Sequence, residues 1–133
     1  MAITKNGGRQ YPLVAEVDFT YADFATTVVY PAIDIPGNAV VVGGELVVTT
    51  AFNTGTSAVI EAGDGGVVDR YLPTAVDLKT AGRTALTLTG YRYTAPDTID
   101  VMATLVGTAA TAGAGTLRVH YVIKDRAQEV QPV

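Results

Sequence analysis

The sequence predicts an all-β fold: one antiparallel β-sandwich, jelly-roll-like, with extended terminal arms. The chain has 133 residues, which is enough for a single hydrophobic core. It contains 19 Val and 19 Thr, and these β-branched side chains suit a pleated strand better than a helix. Short strand patterns recur between turn residues, and no helical period of useful length is present.

In the first half of the chain, three segments have strand patterns. Apolar residues alternate with polar ones over 13–19, and a second run covers 24–30 and is closed by Pro31. A longer run covers 39–52 and contains Gly43-Gly44. Paired glycines inside a strand predict a bulge or a sharp bend, which lets a strand pass from one sheet to another.

The second half is predicted to hold further strands joined by loops. A short strand over 58–61 ends at the glycine turn 63–66, and a strand resumes over 67–71. Residues 73–82 form a connection that contains a short turn of helix or strand. The last strands are expected at 84–89, 98–106 and 117–123, with a small-residue loop over 107–115.

These strands indicate two antiparallel sheets packed face to face in a single domain. About seven to nine short strands, each with one polar side, are typical of a sandwich. No internal repeat or linker divides residues 1–133. The sandwich is expected over 11–124, between an N-terminal arm (1–10) and a C-terminal arm (125–133). Polar, irregular ends normally fray, so we expect contacts with other subunits to order these arms.

Composition and charge argue against several classes of protein. The net charge is −4 and the nine basic residues are scattered, so the chain lacks the basic cluster that direct nucleic-acid binding requires. There is no cysteine, which excludes disulfides, thiolate zinc sites and thiol nucleophiles. No segment has the pattern of a signal peptide and no apolar run is long enough to cross a bilayer, so we expect neither export nor membrane insertion.

The polar side of the predicted strands carries few charges. Residues 83–89 place threonines there, with a single Arg. Isolated soluble domains usually protect their sheets with Lys and Glu, so an under-charged surface favours coverage by another subunit. A low-charge monomer is the alternative.

Residues that carry catalysis are sparse. His120 is the only histidine and lies on the polar face of the last predicted strand, where an ordinary surface or interface role explains it. Ser57 is the only serine, in a loop without a nucleophile-elbow pattern, and nothing in the sequence brings it near His120. We therefore expect no enzymatic activity and no catalytic residue.

Three further patterns have functional interpretations that are weaker than their structural ones. Asp97 and Asp100 can be drawn as a carboxylate pair, but Asp at a turn before a strand commonly bonds backbone N–H groups. The segment 61–66 has the acids and glycines of a calcium loop without its ligand spacing, which favours a glycine turn. The segment 91–93, Tyr-Arg-Tyr, suits a sugar or base platform, but core and interface roles fit tyrosine better. We expect no metal and no cofactor.

Several segments resemble a known family. They are Asp34–Leu46, Thr50–Ser57, Gly63-Asp64, Asp69–Tyr71, Thr80–Thr84, Thr89–Tyr91 and Leu117–Tyr121. Over roughly Leu13 to Glu129 the chain resembles the capsid decoration (cement) proteins of tailed bacteriophages. The resemblance implies a structural protein on the capsid surface of the virion, made in the bacterial cytoplasm, which clamps adjacent major capsid proteins and stabilises the shell. It also implies a homodimer or homotrimer with contacts through the arms and loop tips, and it carries over no site residue.

One alternative of another class stays open. A head-fibre or tail-associated module that binds a receptor or carbohydrate would share the sandwich and present a pocket with Tyr91, Tyr93 and Asp97. An enzyme ranks third.

Overall fold

The structure, a computed structural model, describes residues 2–126 and the backbone of Glu129 and Val130. Within these residues the chain forms ten strands and one 3-10 turn, Tyr21–Asp23. The strands are β1 (Gly8–Arg9), β2 (Leu13–Thr20), β3 (Val29–Ile35), β4 (Ala39–Thr50), β5 (Ser57–Gly63), β6 (Val76–Asp77), β7 (Gly82–Ala85), β8 (Asp97–Val106), β9 (Ala114–Ile123) and β10 (Glu129–Val130). No helix in this part of the chain is long and apolar enough to span a membrane. Residues 1, 127, 128 and 131–133, which the sequence assigns to the arms, lie outside the described residues.

Eight strands form two four-stranded sheets that enclose the core. One sheet has the order β2-β9-β4-β7 and the other β3-β8-β5-β6, and all neighbours are antiparallel. The chain crosses repeatedly between the sheets, so that pairs such as β2–β9 and β3–β8 join segments that are distant in sequence. This is the arrangement of a jelly roll. The prediction of an all-β antiparallel sandwich is confirmed.

The core lies between the sheets because alternate residues of each strand are apolar and point inward. In the first sheet Leu46 lies opposite Leu117, and both are fully buried. In the second sheet Ile60 lies opposite Ala103, and both are fully buried as well. Burial of each Leu or Ile side chain stabilises the fold by roughly 1.5–3 kcal/mol. This period-two pattern therefore fixes which face of each strand is inside.

The second predicted strand is displaced in the structure. The sequence predicts a strand over 24–30 that Pro31 closes, whereas β3 begins at Val29 and continues through Pro31. β3 is an edge strand whose register shifts between Pro31 and Ile33. An edge position beside a bulge tolerates a residue that has no N–H to donate, so proline does not end the strand here.

The predicted bulge in the longest strand is confirmed. The register of β4 against β9 shifts between Val41 and Gly43, and Gly44 has a φ of 141°, which L-residues rarely adopt. A Cβ atom at Gly44 would lie 2.4 Å from the carbonyl oxygen of Arg118, so a side chain does not fit there. The bulge does not carry β4 into the other sheet, because pairing with β9 resumes beyond it.

Two other predicted strands differ from the structure. Residues 67–71 form turns and a bend, because the side chain of Asp64 accepts N–H groups of this loop that a strand would otherwise pair. The strand expected over 84–89 stops at Ala85, after which the N–H of Thr87 donates to a carbonyl outside the sheet. The connection expected between these two segments contains the short strand β6, as predicted.

The arms contact each other and the sandwich within one chain. β1 pairs with β10 in a separate two-stranded sheet. The Gln10 side chain forms two hydrogen bonds with the backbone of Ile123, donating from Nε2 to the carbonyl (2.5 Å) and accepting from the N–H at Oε1 (3.0 Å). Contacts within the chain therefore hold residues 8–10, and contacts of the arms with other subunits stay a prediction.

Candidate functional site

The loop that follows β5 is built around one buried carboxylate, Asp64. Its Oδ1 atom accepts hydrogen bonds from the backbone N–H groups of Gly66 (3.0 Å) and Val67 (2.8 Å). Its Oδ2 atom accepts from Arg70 Nε (2.5 Å) and from the Tyr93 hydroxyl (2.8 Å). Asp often forms such turns, because its short side chain reaches the backbone two or three residues further on. One side chain therefore sets the shape of the loop.

Two buried tyrosines extend this network into the core. The hydroxyl oxygens of Tyr71 and Tyr93 lie 2.7 Å apart, and burial is the main cause that raises the pKa of both groups. Both hydroxyls therefore stay neutral, and Tyr93 donates to Asp64. Burial alone would also raise the pKa of Asp64, but hydrogen bonds from Arg70, the Val67 N–H and Tyr93 outweigh it and hold that pKa below its usual value.

Arg70 fixes the outer side of the same loop. Its guanidinium carbon lies 3.7 Å from the centroid of the Tyr91 ring, a cation–π contact. The hydrogen bond to Asp64 is the main cause that raises the pKa of Arg70. At the tip of the loop, Val67 and Val68 are exposed. The loop thus presents two apolar side chains on a rigid base, which lowers the entropy cost of contact with another protein.

The calcium-loop interpretation of residues 61–66 does not fit this geometry. Both oxygens of Asp64 accept protein donors, and the Arg70 guanidinium lies where a cation would bind. The segment is the end of β5 and a turn, as the structural alternative predicts. Within residues 2–126, no group of three or more His, Cys, Asp or Glu side chains could hold a metal ion. That the protein binds no metal or cofactor stays a prediction.

An open aromatic pocket does not form at Tyr91, Tyr93 and Asp97. Tyr93 is buried, and Tyr91 packs against it edge to face with ring centroids 5.0 Å apart. Arg70 covers the face of the Tyr91 ring. Asp97 Oδ1 accepts the N–H of Thr98 (2.7 Å), the backbone role expected of an Asp before a strand. The three residues of the receptor or carbohydrate alternative therefore serve the structure of the sandwich.

Ser57 and His120 lie in different sheets. Ser57, predicted in a loop, is the first residue of β5 and lies opposite Val106. His120 lies in β9, between Val14 of β2 and Gly43 of β4, and its side chain has no hydrogen bond to the rest of the described chain. The structure brings these two side chains into no common site. That the chain is not an enzyme stays a prediction.

Asp100 is a buried carboxylate with no salt bridge among the described residues. Its Oδ1 atom accepts the hydroxyl of Thr98 (2.5 Å). Burial is the main cause that raises its pKa, and the charges of Asp97 and Asp64 act in the same direction. Asp97 and Asp100 are three residues apart in β8, so their side chains leave opposite faces of the strand and do not form a catalytic pair.

A row of alternating charges crosses the outer face of the first sheet. Glu16, Arg118 and Glu45 lie directly opposite one another on β2, β9 and β4. Arg118 donates from Nε to Glu16 (2.9 Å) and from Nη1 to Glu45 (2.6 Å), and Arg83 Nε donates to Glu45 (2.5 Å). The expectation of an under-charged surface is wrong for this sheet, where four charges neutralise one another.

The second sheet carries a different charge. Its four strands contain five carboxylates and no Lys or Arg. Asp34 and Asp77 are exposed and Glu61 is half-buried. This outer face is acidic, and it would complement a basic surface on a partner.

The network around Asp64 is not predicted by the sequence. The Asp64-Gly65-Gly66 segment signals a turn, and an Arg six residues on is a plausible partner for the carboxylate. Tyr93 is 29 residues away, and nothing in the sequence marks it as a neighbour.

The two-sheet architecture recurs in solved structures. A chain in the acidic stable capsid structure of Helicobacter pylori bacteriophage KHP30 is 18% identical, with a TM-score of 0.64 over 84% of this chain and 87% of that chain. A chain in the cyanophage Pam1 capsid asymmetric unit is 18% identical, with a TM-score of 0.67 over 92% of each chain. A chain in the capsid of Ralstonia phage GP4 is 17% identical, with a TM-score of 0.55 over 100% of this chain and 92% of that chain. This chain has a fold found in phage capsids.

The likeness covers 84–100% of this chain and 87–92% of the matched chains. The matched chains are therefore about as long as this one. At 17–18% identity the likeness establishes the fold alone. No protein-family model and no curated protein matches the sequence.

Proposed function

We propose that this chain is a structural virion protein that binds the outer surface of a tailed-phage capsid and clamps adjacent major capsid proteins. The observation that carries the proposal is the likeness, over 84–100% of this chain, to chains of similar length from three phage capsid structures. The matches cover 84–100% of this chain and 87–92% of the matched chains. The family resemblance of the sequence points to the same role.

The acidic outer face of the second sheet suits this role. It carries Asp34, Glu61 and Asp77 with no basic residue on its strands, so a basic area of the shell would attract it. The outer face of the first sheet is neutralised by its own ion pairs and offers less charge to a partner. We therefore propose that the second sheet, with the rigid loop around Asp64, faces the shell.

The stabilising mechanism follows from mass action. A protein that binds the assembled shell better than its separate subunits shifts the equilibrium toward the assembled state. Many copies on one closed shell add their effects, so no single contact needs to be strong. Contacts that span two capsid proteins resist their separation when the particle is heated or its packaged DNA presses outward.

The experiment compares phage particles with and without this protein in a thermal ramp, with a DNA-binding dye reporting release of DNA. Particles that lack it are expected to release DNA at a lower temperature, and added purified protein is expected to restore the original temperature. Asp34→Asn and Asp34→Lys proteins should bind the stripped particles progressively less well in sedimentation. Unchanged release, or no binding of the parent protein to the particles, would refute the proposal.

A further inference from the structure

An apolar groove of about 280 Å³ lies between β2 and β3. Three aromatic residues, Phe19, Phe24 and Tyr30, line it and are called its floor here, and Ala32 lines it as well. The ring centroids of Phe19 and Phe24 are 5.4 Å apart and those of Phe24 and Tyr30 are 6.1 Å apart, both edge to face. The Tyr30 hydroxyl also accepts the N–H of Ala25 (3.0 Å). The floor is therefore formed before any ligand binds.

The walls of this groove are open strand edges. β2 and β3 are the edge strands of their sheets, with eight and seven residues, and each has one paired neighbour among the described strands. The opposite side of the sandwich ends in β7 and β6, which have only four and two residues. Long free edges expose backbone donors and acceptors that can pair with an added extended segment.

The rim of the groove is acidic. Asp18 and Asp23 line it, and neither forms a salt bridge in the described part of the chain. Asp18 accepts the Thr116 hydroxyl (2.6 Å) and Asp23 accepts the N–H of Thr20 (2.7 Å), so both carboxylates are held in place. A segment that fits the groove should combine an apolar side chain with a positive charge.

The N-terminal arm has this chemistry. Residues 2–7 have no secondary structure, and the Ile3 side chain at 97% exposure contacts almost nothing within its own chain. The arm carries Lys5 and Arg9 and no carboxylate, whereas the whole chain has a net charge of −4. Lys5 forms no salt bridge with the described residues.

Residues 6–10 of the same chain lie beside Ile123, Asp125 and Arg126 and not beside their own groove. Gln10, shortly before the start of β2, is hydrogen-bonded to Ile123 at the end of β9. The strand β1 pairs with β10. The groove lies near Phe19 at the other end of β2, about 20 Å further along at 3.3 Å per residue. We propose that the arm of one copy docks in the β2–β3 groove of a second copy, with Ile3 on the aromatic floor and Lys5 beside the acidic rim.

Disulfide trapping tests this arrangement in full-length protein. The chain contains no cysteine, so introduced thiols are the only ones present. Unlabelled Ile3→Cys protein is mixed with ¹⁵N-labelled Ala32→Cys protein and oxidised, and mass spectrometry identifies the mixed dimer. We expect a disulfide between these two positions, because the docked arm would bring their Cα atoms within the distance of about 7 Å that a disulfide requires. Val14→Cys, exposed near the start of β2 and away from the groove, is the control and should give several-fold less product.

A sedimentation experiment supplies an independent measurement. Ile3→Asp should weaken self-association by about tenfold to a hundredfold, because burial of an Ile side chain is lost. Val106→Asp, at an exposed apolar position of the second sheet, should leave it unchanged. A monomeric parent protein, equal association of parent and Ile3→Asp, or equal trapping at Ala32→Cys and Val14→Cys would overturn the proposal. Neither experiment contains a capsid, so its outcome is separate from that of the proposed capsid binding.

Discussion

The Tyr93 hydroxyl donates a hydrogen bond of 2.8 Å to Asp64 Oδ2, and both groups are buried. This bond joins the loop after β5 to the segment that precedes β8, 29 residues later in the chain. Arg70 bonds the same carboxylate from the outer side. The loop is therefore tied to the body of the sandwich by side chains, where a strand pairing was predicted.

Asp64→Asn should destabilise the protein by about 3 kcal/mol, because removal of one partner leaves the other charge of a buried ion pair uncompensated. The Asp64 side chain is 1% exposed and that of Arg70 15%. Chemical denaturation measures the change in the free energy of unfolding. Asp69→Asn in the same loop is the control, since no hydrogen bond or salt bridge of Asp69 is present among the described residues. Equal losses in the two variants would contradict this account.

Asp64→Asn should also reduce the dependence of the free energy of unfolding on pH in the acid range. The pKa of Asp64 lies below its usual value in the folded protein, so its contribution is complete above the ordinary carboxyl pKa and is lost as the pH falls through the lowered value. Asp64→Asn removes this dependence. Unfolding free energies measured from neutral to acid pH should therefore converge for the two proteins, and a constant difference would argue against the shift.

Asp100→Asn should raise the free energy of unfolding at neutral pH, whereas Asp64→Asn should lower it. Burial raises the pKa of Asp100, so its folded form favours the neutral carboxyl, and this stabilisation is lost as the pH rises through the raised value. An amide keeps an oxygen acceptor for the Thr98 hydroxyl without the charge. We expect Asp100→Asn to be more stable than the parent at pH 7, with the difference vanishing below the ordinary carboxyl pKa. Lower stability at pH 7 would count against it.

Arg118→Ala should lower the unfolding midpoint more in low salt than in high salt. Arg118 bonds both Glu16 and Glu45, and its removal leaves these like charges facing each other across the strand. Salt screens such exposed interactions. Arg83→Ala is the control, because Arg83 bonds only Glu45 and a smaller salt dependence is expected. Thermal melts of both variants at two salt concentrations make the comparison. A loss of unfolding midpoint for Arg118→Ala that does not depend on salt would argue against an electrostatic role of this row of charges.

Gly44→Ala should cost about 3 kcal/mol or more, since it combines an unfavourable φ with a clash against backbone. The added Cβ would lie 2.4 Å from Arg118 O. Gly43→Ala is a matched neighbour whose Cβ would find ordinary contacts at 3.6 Å with His120. Urea denaturation should therefore give a lower unfolding midpoint for Gly44→Ala than for Gly43→Ala, although the sequence alone does not distinguish the two glycines. Similar unfolding midpoints would show that the bulge adapts.

Much of the fold was predictable because period-two alternation fixes which side of a strand is buried. The strands predicted over 13–19, 98–106 and 117–123 lie within β2, β8 and β9. The predictions failed where contacts between distant segments decide the backbone. Pro31 remains in a strand because β3 is at an edge, and 67–71 turns because of the Asp64 side chain. Neither fact is contained in the local sequence.

The candidate surfaces were less predictable than the fold. Glu16, Glu45 and Arg118 are scattered in sequence, and only the register of three strands makes them a row. The groove between β2 and β3 likewise depends on which strands become edges. No sequence pattern joins His120 to Ser57, and the structure places them in different sheets.

The pairing of Gly8–Arg9 with Glu129–Val130 has a consequence for the connectivity of the molecule. Paired strands lie about 5 Å apart, so a short peptide bridge between Gly8 and Val130 would close the backbone into a ring. New ends could then be opened in the loop 107–113, which joins β8 to β9. A circular permutant of this kind would keep every strand pairing of the jelly roll and move the chain ends to the opposite end of the sandwich.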